Sequence, residues 1–413
     1  MGTVEGALSR KLGRKVSPGE IVALRVDALY AHDGTAPLVM DVLESELGWK
    51  GPLEAADRTY FFIDHSAPAP HVAAATVHKR MREFARRHGI KLYDVGRGIS
   101  HQVVYEEGIA RPGALILGAD SHTPTVGATG AIAIGVGSTD LALAMAYGET
   151  WLQVPEPFLV KLEGRLRPWA MGKDVALRLI GELGTDGLLG KYAEFRGKGL
   201  GSISMDSRLT ISNMTAEMGA VTAVFEVDDL AAAALGLEGP LHFGDDSFVD
   251  GVELELDAVE PMVSLPGDVG RVAEVSEAEG TEVDVVFIGS CTNGRLEDVA
   301  MAAKILSGRR ARARCIVSPA SSRVYMDSLA AGYIEALLKS GCVVAPPTCG
   351  PCVGAHMGVL AEGEVAVSTT NRNFPGRMGH VSSKVFLASP ATAAASAVAG
   401  RVADPRKYLG GGS

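Results

Sequence analysis

Three cysteines occupy positions from which they could bind a metal or carry out redox chemistry. Cys349 and Cys352 form a C-x-x-C pair, and Cys291 lies on another predicted strand-to-loop turn. Such a pair is typical of thiol–disulfide exchange, of zinc sites and of iron–sulfur clusters. Exchange needs a helix directly after the pair, whereas Pro346-Pro347 and Gly354 predict a rigid loop. The pattern therefore favours a metal over thiol exchange.

The cysteine spacing leaves zinc and an iron–sulfur cluster as alternatives. A structural zinc ion takes four ligands, and His356 is close enough in sequence to be the fourth. Cys315 and Cys342 each stand alone beside apolar residues, so we expect them to be buried thiols and not ligands.

Carboxylates and imidazoles also follow predicted strands. They are Asp64-His65, His101, Asp120 and His122. Asp and His concentrated in strand-end loops exceed what packing requires and indicate proton transfer. Ser121 lies between Asp120 and His122 but lacks the G-x-S-x-G elbow of a hydrolase, which argues against a serine nucleophile.

Arginines form the last group of residues that could take part in binding or catalysis. Arg372, within Asn371-Arg372-Asn373, and Arg377 share one Gly/Pro loop. Two guanidinium groups in one loop suit bidentate capture of carboxylate or phosphate.

The elements that must position these residues form a repeated strand–loop–helix unit. The predicted strands are 114–118, 283–288 and 364–367, the loops 120–124, 289–295 and 368–377, and the helices 138–147, capped by Ser138 or Thr139, and 296–306. This alternation predicts parallel α/β layers. Open α/β sheets bind ligands at the carboxyl ends of their strands, so we expect the three loops to converge on one cleft.

The composition fits such a protein. The chain has 413 residues with 50 glycines, 47% hydrophobic and 6% aromatic residues, which predicts several globular domains with tight loops. Its net charge of −10 gives no bulk attraction to nucleic acid or to an anionic membrane. The 5 cysteines are too few for a disulfide scaffold, and their odd number favours a reducing cytoplasm.

Targeting segments and domain boundaries follow from local composition. Residues 1–6 lack the apolar region of a signal peptide, and no stretch approaches the roughly 20 apolar residues of a membrane span. We therefore expect a soluble cytoplasmic protein.

Pro155-Glu156-Pro157 and the acidic stretch 274–282 place domain boundaries near 155 and 277. The predicted domains are 1–155, 156–277 and 278–413.

Taken together, the chain resembles the aconitase superfamily, and more narrowly the large subunits of two-subunit isopropylmalate and homoaconitate hydro-lyases. The matching segments are 118–124 (Gly-Ala-Asp-Ser-His-Thr-Pro), 288–293 (Ile-Gly-Ser-Cys-Thr-Asn), 348–354 (Thr-Cys-Gly-Pro-Cys-Val-Gly), 371–374 (Asn-Arg-Asn-Phe) with Gly376-Arg377, and 387–390 (Leu-Ala-Ser-Pro). They run in the family's order from His32-Asp33-Gly34-Thr35 onward. The resemblance implies three α/β/α domains around a central cleft, with the swivelling fourth domain absent.

The resemblance also implies a cofactor and residue roles. Cys291, Cys349 and Cys352 match the ligands of a [4Fe–4S] cluster whose fourth iron has no protein ligand. Asp64-His65 would assist protonation of the leaving hydroxyl. The other implied site residues are His101, Asp120, His122 and Glu217 in the hydrogen-bond network, Arg372 and Arg377 at substrate carboxylates, Ser121 beside the substrate and Asn371 beside substrate and cluster.

Two departures from the family pattern concern the pocket. Gly34 stands where such relatives often have Val, and Ser66-Ala67 replaces bulkier residues, so the pocket rim is expected to differ. The swivelling domain of single-chain aconitases would follow Ser389-Pro390, but the chain ends soon afterwards. The resemblance thus implies a separate small subunit carrying that domain.

The implied activity is dehydration and rehydration of a small hydroxy-carboxylate through an alkene. 2-Isopropylmalate is the main expectation, within leucine biosynthesis, and homoaconitate or malate-type substrates are alternatives. An iron-responsive RNA-binding protein is a remoter alternative that the net charge disfavours. A third alternative is a structural subunit that binds zinc.

Overall fold

The computed structural model describes residues 2–245, 248 and 250–409. The chain folds into two compact units. Unit 1 holds the described residues up to Val95, together with Ser100–Glu163 and Asp186–Leu254. Unit 2 holds Gly96–Ile99, Gly164–Thr185 and the described residues from Glu255 onward. The predicted domain ranges stay predictions.

The secondary structure alternates between strands and helices along most of the chain. The strands are β1 (Ile21–Arg25), β2 (Ala28–His32), β3 (Thr59–Phe62), β4 (Lys91–Tyr93), β5 (Leu115–Gly118), β6 (Ile132–Gly135), β7 (Glu149–Gln153), β8 (Glu156–Glu163), β9 (Lys191–Arg196), β10 (Thr222–Phe225), β11 (Gly251–Glu255), β12 (Met262–Ser264), β13 (Val272–Glu274), β14 (Val285–Ile288), β15 (Arg314–Val317), β16 (Val343–Val344), β17 (Val365–Ser368) and β18 (Lys384–Ala388). The α-helices are α1 (Thr3–Leu12), α2 (Ala36–Asp41), α3 (Val72–His88), α4 (Ser100–Glu106), α5 (Ser138–Tyr147), α6 (Gly172–Leu183), α7 (Met205–Met214), α8 (Asp229–Ala234), α9 (Val275–Ala278), α10 (Leu296–Leu306), α11 (Ser322–Ala330), α12 (Tyr333–Lys339) and α13 (Pro390–Ala399). Short 3₁₀ helices include Thr123–Thr129, Thr215–Met218 and Gly350–Val353.

The main sheet of unit 1 is parallel and has five strands in the order β4-β3-β2-β5-β6. Its strands are apolar on both faces: Leu29 and Phe61 pack in one core cluster, and Tyr30 and Phe62 in another. Side chains that alternate between two covered faces are typical of a parallel sheet buried on both sides. The register pairs His32 with Phe62, so the loops after β2 and β3 leave the same edge.

A four-stranded sheet, β10-β9-β8-β11, completes the part of unit 1 that bears Glu217. Glu217 lies in the 3₁₀ helix Thr215–Met218, directly after α7. Ser212 Oγ on α7 donates to the Pro124 carbonyl oxygen at 2.6 Å, and Asn213 Nδ2 donates to Thr125 Oγ1 at 2.8 Å. These bonds hold α7 against the loop that follows β5, which carries Asp120 and His122.

Unit 2 is built on a seven-stranded sheet in the order β13-β12-β18-β17-β14-β15-β16. The pairs from β18 to β16 are parallel, whereas β12 pairs antiparallel with both neighbours. Since β14 and β17 are adjacent and parallel, the loops that follow them lie at one edge. The Gly289 N–H donates to Thr369 Oγ1 at 2.9 Å, which ties these two loops together.

The predicted α/β architecture with parallel sheets is confirmed, and most predicted elements lie where expected. Helices α5 and α10 have the predicted bounds 138–147 and 296–306. The predicted side-chain cap of α5 was wrong: Gly137, with an extended backbone, is its N-cap residue, and Ser138 is already helical. Among the described residues no helix has the length and apolar character that a membrane span requires.

Candidate active site

Asp64 and His65 form a hydrogen-bonded pair at the end of β3. His65 Nδ1 lies 2.7 Å from Asp64 Oδ1, and Asp64 is fully buried. Neighbouring side chains on an extended strand point to opposite faces, so this pairing requires the chain to turn after Ile63. The Ser100 N–H donates to Asp64 Oδ2 at 2.6 Å, which fixes the second carboxylate oxygen.

Asp33 makes that turn, a role that was not predicted from the sequence. Its Oδ1 accepts the N–H groups of Asp64 at 3.2 Å and His65 at 2.8 Å, and its Oδ2 accepts the Ser66 N–H at 2.8 Å. His78 Nε2 on α3 lies 3.1 Å from the same Oδ2. Burial alone would raise the pKa of Asp33, but His78, His65 and these donors hold it well below its usual range. Asp33 is therefore an ionised anchor for the Asp64-His65 loop.

Asp120 lies at the centre of the imidazoles. Its Oδ1 accepts the His122 N–H at 2.7 Å and lies 3.4 Å from His101 Nε2, and its Oδ2 lies 3.1 Å from His32 Nε2. Burial would raise the pKa of Asp120, but His101, His122 and His32 outweigh it and lower the pKa well below 3.8. His32 is another residue for which the sequence predicted no role.

His101 and His122 each have a second partner that orients the ring. Tyr30 Oη lies 2.6 Å from His101 Nδ1, and Glu217 Oε1 lies 2.8 Å from His122 Nε2. A hydroxyl that donates to Nδ1 of His101 leaves its Nε2 to donate to Asp120. Ser121 is exposed, with its Oγ 3.5 Å from His122 Nδ1. The predicted acid–base residues of unit 1 are thus brought into one network.

The charge of His65 is set by the carboxylates around it. Burial alone would lower the pKa of His65, but Asp64, Asp120 and Asp33 outweigh it and raise the pKa to about 9. At neutral pH the ring is an imidazolium, which can give a proton to a leaving group.

His32, Asp33, Asp64 and His65 also bring potential metal-ligand atoms within 4.8 Å of one another. Both oxygens of Asp33 and of Asp64 already accept hydrogen bonds from main-chain N–H groups or histidines. Carboxylates committed in this way hold the loops after β2 and β3 in place through their hydrogen bonds.

In unit 2, Cys291 lies in the loop after β14 on a constrained backbone. Ser290 has a φ of 76°, a left-handed conformation that costs a non-glycine residue about 1–3 kcal/mol. Arg295 is buried, and its guanidinium donates to the carbonyl oxygens of Thr292 at 2.6 Å and Cys291 at 2.8 Å. Arg295 therefore fixes the main chain at Cys291. This role was not predicted from the sequence. The signal that could have indicated it is an arginine four residues after a candidate metal ligand.

Cys349 and Cys352 flank one turn of 3₁₀ helix. Cys349 is the N-cap residue of Gly350–Val353, and the Cys352 N–H donates to its carbonyl oxygen at 3.1 Å. The predicted loop thus contains a helical turn. A Cβ at Gly350 would lie 2.2 Å from His356 Nε2, so only glycine leaves room for His356 there. His356 packs on the main chain between the two cysteines.

Asn371 connects the cysteines of the two loops. Its Nδ2 lies 3.4 Å from Cys291 Sγ, and its Oδ1 lies 3.6 Å from Cys352 Sγ. Cys291 and Cys349 share an apolar cluster with Ile99. The structure therefore brings Cys291, Cys349, Cys352 and Asn371 into one buried group.

The donor set of this group suits an iron–sulfur cluster. Burial raises the pKa of the Cys352 thiol to about 11, although Arg377 opposes the shift. A buried thiolate needs a compensating positive charge, which a metal centre supplies. Sulfur ligands from two loops, with Asn371 beside two of them, fit a cluster bound by Cys291, Cys349 and Cys352.

Arg377 lies beside Cys352 and shares the loop after β17 with Arg372. Arg377 Nη2 is 4.0 Å from Cys352 Sγ. Its Nε is buried and, within the described part of the chain, has no hydrogen-bond partner. A half-buried guanidinium with an unused donor is suited to an incoming carboxylate. Arg372 is half-buried in the same loop.

Cys315 and Cys342 lie apart from this group in the apolar core of unit 2. Their sulfurs are 2.7 Å apart, on β15 and directly before β16. Both are buried, as predicted from the sequence.

Comparisons with known proteins identify the family of the chain. Residues 9–400 match the aconitase family (aconitate hydratase). The chain is 47% identical to "3-isopropylmalate dehydratase large subunit 2" of Archaeoglobus fulgidus, over 98% of this chain and 99% of that protein. It is 44% identical to "3-isopropylmalate dehydratase large subunit 1" of Thermotoga maritima, over 98% and 99% of the two chains.

A solved structure shares the fold. It is the holo-form of Thermococcus kodakaraensis aconitase X, with a TM-score of 0.53, 12% identity and coverage of 92% of each chain. At this identity the similarity concerns the fold alone.

Proposed function

The chain belongs to the aconitase family, and from that premise we propose that it is the large subunit of a cytoplasmic hydro-lyase that converts 2-isopropylmalate to 3-isopropylmalate in leucine biosynthesis. The observation that carries this proposal is 47% identity over 98% of the chain to a relative named for that activity. The acid–base network of unit 1 and the cysteine–arginine group of unit 2 are the residues that we assign to the reaction.

The reaction removes a hydroxyl and a proton from neighbouring carbons and then adds water back in the other orientation. A hydroxide leaves slowly unless it receives a proton, and His65 holds one at neutral pH because its pKa is about 9. The carbon–oxygen bond then breaks as the His65 proton moves to the departing oxygen. Asp64 holds the His65 ring through Nδ1, which leaves Nε2 as the donor.

The remaining residues bind and orient the substrate and the water. Arg377 and Arg372 hold substrate carboxylates, and Ser121 contacts the substrate. Asp120, His101, His122 and Glu217 hold the water that is released and re-added. Cys291, Cys349 and Cys352, with Asn371 beside them, would hold a [4Fe–4S] cluster, which would supply a Lewis acid toward the substrate hydroxyl.

We further propose that a separate small subunit completes the enzyme. The names of the relatives include the words "large subunit", which supports a partner. The group that takes the proton from carbon belongs to that partner in this proposal.

The test is anaerobic co-expression with the small subunit encoded in the same genome. Alkene absorbance is followed with 2-isopropylmalate, homocitrate and citrate as substrates. We expect turnover of 2-isopropylmalate; turnover of citrate or homocitrate alone would assign another substrate.

The cluster is tested in the same complex. Cys352→Ser should remove the brown chromophore, the bound iron and sulfide, and the activity. The matched control Cys315→Ser should retain all of them. Retained turnover in Cys352→Ser, or zinc without sulfide in the wild type, would contradict the cluster assignment.

A further inference from the structure

His32, at the end of β2, contacts two of the residues assigned to the reaction, His65 and Asp120. Its ring is stacked on that of His65, with a centroid distance of 3.8 Å and an interplanar angle of 18°. Its Nε2 lies 3.1 Å from Asp120 Oδ2. His32 is almost completely buried. One side chain therefore restrains the proton donor and the central carboxylate together.

The orientation of His32 is set by a main-chain hydrogen bond. The Gly34 N–H donates to His32 Nδ1 at 3.0 Å. A nitrogen that accepts a hydrogen bond carries no proton, so the proton of the neutral ring is on Nε2 and is donated to Asp120. The ring is thus fixed in its tautomer as well as in its plane.

Gly34 leaves room for the His32 ring in this position. A Cβ at residue 34 would lie 2.9 Å from His32 Cε1 and 3.1 Å from His32 Nδ1. Among the described residues, no other group outside the immediate chain neighbours comes within 4 Å of that Cβ position. Gly34 is not a left-handed residue, so the backbone itself would accept a side chain. Among the described residues, a Cβ at residue 34 therefore conflicts with the His32 ring alone.

We propose that His32 is a positioning residue of the reaction, which aligns His65 by stacking and Asp120 by hydrogen bonding, and that Gly34 provides the space for its ring. The kinetic consequence of this inference rests on the proposed function. Its structural part concerns His32, Gly34 and His65 alone.

The kinetic test uses the reconstituted two-subunit enzyme. His32→Ala should lower kcat about 10²-fold, because small misalignments of a proton donor have effects of this size, while KM changes less than about threefold. His32→Gln should restore most of kcat, since its amide can accept from Gly34 and donate to Asp120. His32→Leu fills the same space without a donor or an acceptor and should not restore kcat, whereas a residue that only fills space would be replaced by Leu as well as by Gln.

Gly34 is tested by a double-mutant cycle. Gly34→Val should lower kcat by less than His32→Ala does, because the His32 ring is displaced and not removed, and Gly34→Ala should have a still smaller effect. In the His32→Ala background, Gly34→Val should cost less than about twofold, because its steric partner is gone. Additive losses, or a His32→Ala enzyme as fast as the wild type, would overturn the proposal.

A measurement that needs no activity separates this inference from the proposed function. In histidine-selective NMR of the full-length chain, stacking should shift the His65 Cε1–H resonance upfield by a ring current. The shift should disappear in His32→Ala and decrease in Gly34→Val. If wild-type enzyme fails on 2-isopropylmalate but these shifts behave as expected, the proposed function fails and the placement of His32 stands. An unchanged His65 resonance in both variants would overturn the placement itself.

Discussion

Glu217 Oε1 lies 2.8 Å from His122 Nε2, although 95 residues separate them in the chain. Both side chains are buried. The 3₁₀ helix that carries Glu217 therefore orients an imidazole that follows β5.

Glu217→Gln should lower kcat about 10²-fold, the size of effect expected when acid–base machinery is disturbed. The amide retains the shape of the side chain but not the charge that holds the His122 N–H. Initial rates of the co-expressed complex measure the effect. Glu226→Gln is the matched control, because Glu226 pairs with the exposed His242 at 3.2 Å. Equal rates for the two variants would contradict a role for Glu217.

The activity should decline as the pH rises through about 9, because His65 then loses the proton that it donates. Asp64→Asn should move this alkaline limb to lower pH, since Asp64 is the strongest of the carboxylates that raise the pKa of His65. The measurement is kcat/KM against pH. A limb at the same pH in both proteins would contradict the assignment of His65 as proton donor.

The same histidine should affect stability. The pKa of His65 is about 9 in the folded protein against 6.5 for an ordinary histidine, so between these values the folded state binds a proton that the unfolded state lacks. The contribution of His65 to the free energy of unfolding should therefore be fully present below pH 6.5 and be lost as the pH rises to 9, by up to about 3 kcal/mol. Urea unfolding of His65→Gln should show a flatter dependence in this window, and an unchanged slope would refute the shift.

Arg377→Lys should raise the KM for the hydroxy-carboxylate at least about tenfold, because lysine keeps the charge but not the planar pair of donors. The Nε that lacks a partner in the described structure is lost in this variant. Iron and sulfide contents serve to show that the cluster is retained. Arg323→Lys, at an exposed position of α11, is the control. A KM unchanged from wild type would exclude Arg377 from carboxylate binding.

Cys315 and Cys342 should resist alkylation in the native protein. The hydrogen bond with Cys342, together with burial, raises the pKa of Cys315 well above 9.0, and the protonated thiol is a poor nucleophile. Mass spectrometry after iodoacetamide treatment at pH 8 should find both unmodified, and both modified in denaturant. Native labelling of either residue would show that this part of the core opens.

The sequence by itself determined the local secondary structure and the motifs that identify the family. The apolar runs, such as the one before Asp64, predicted the strands, and α10 has the predicted bounds. The motifs around Asp120, Cys291 and Cys352 identified the family and the residue types that the chemistry needs.

Only the tertiary structure decided which groups orient those residues. Asp33 holds the Asp64-His65 turn across 31 residues, and Tyr30 holds His101 across 71. Local patterns reflect strand and helix periods, whereas hydrogen-bond partners this far apart are brought together only by the register of parallel strands and the packing of helices on them. For the same reason, the role of Gly34 became visible only once the His32 ring had a position.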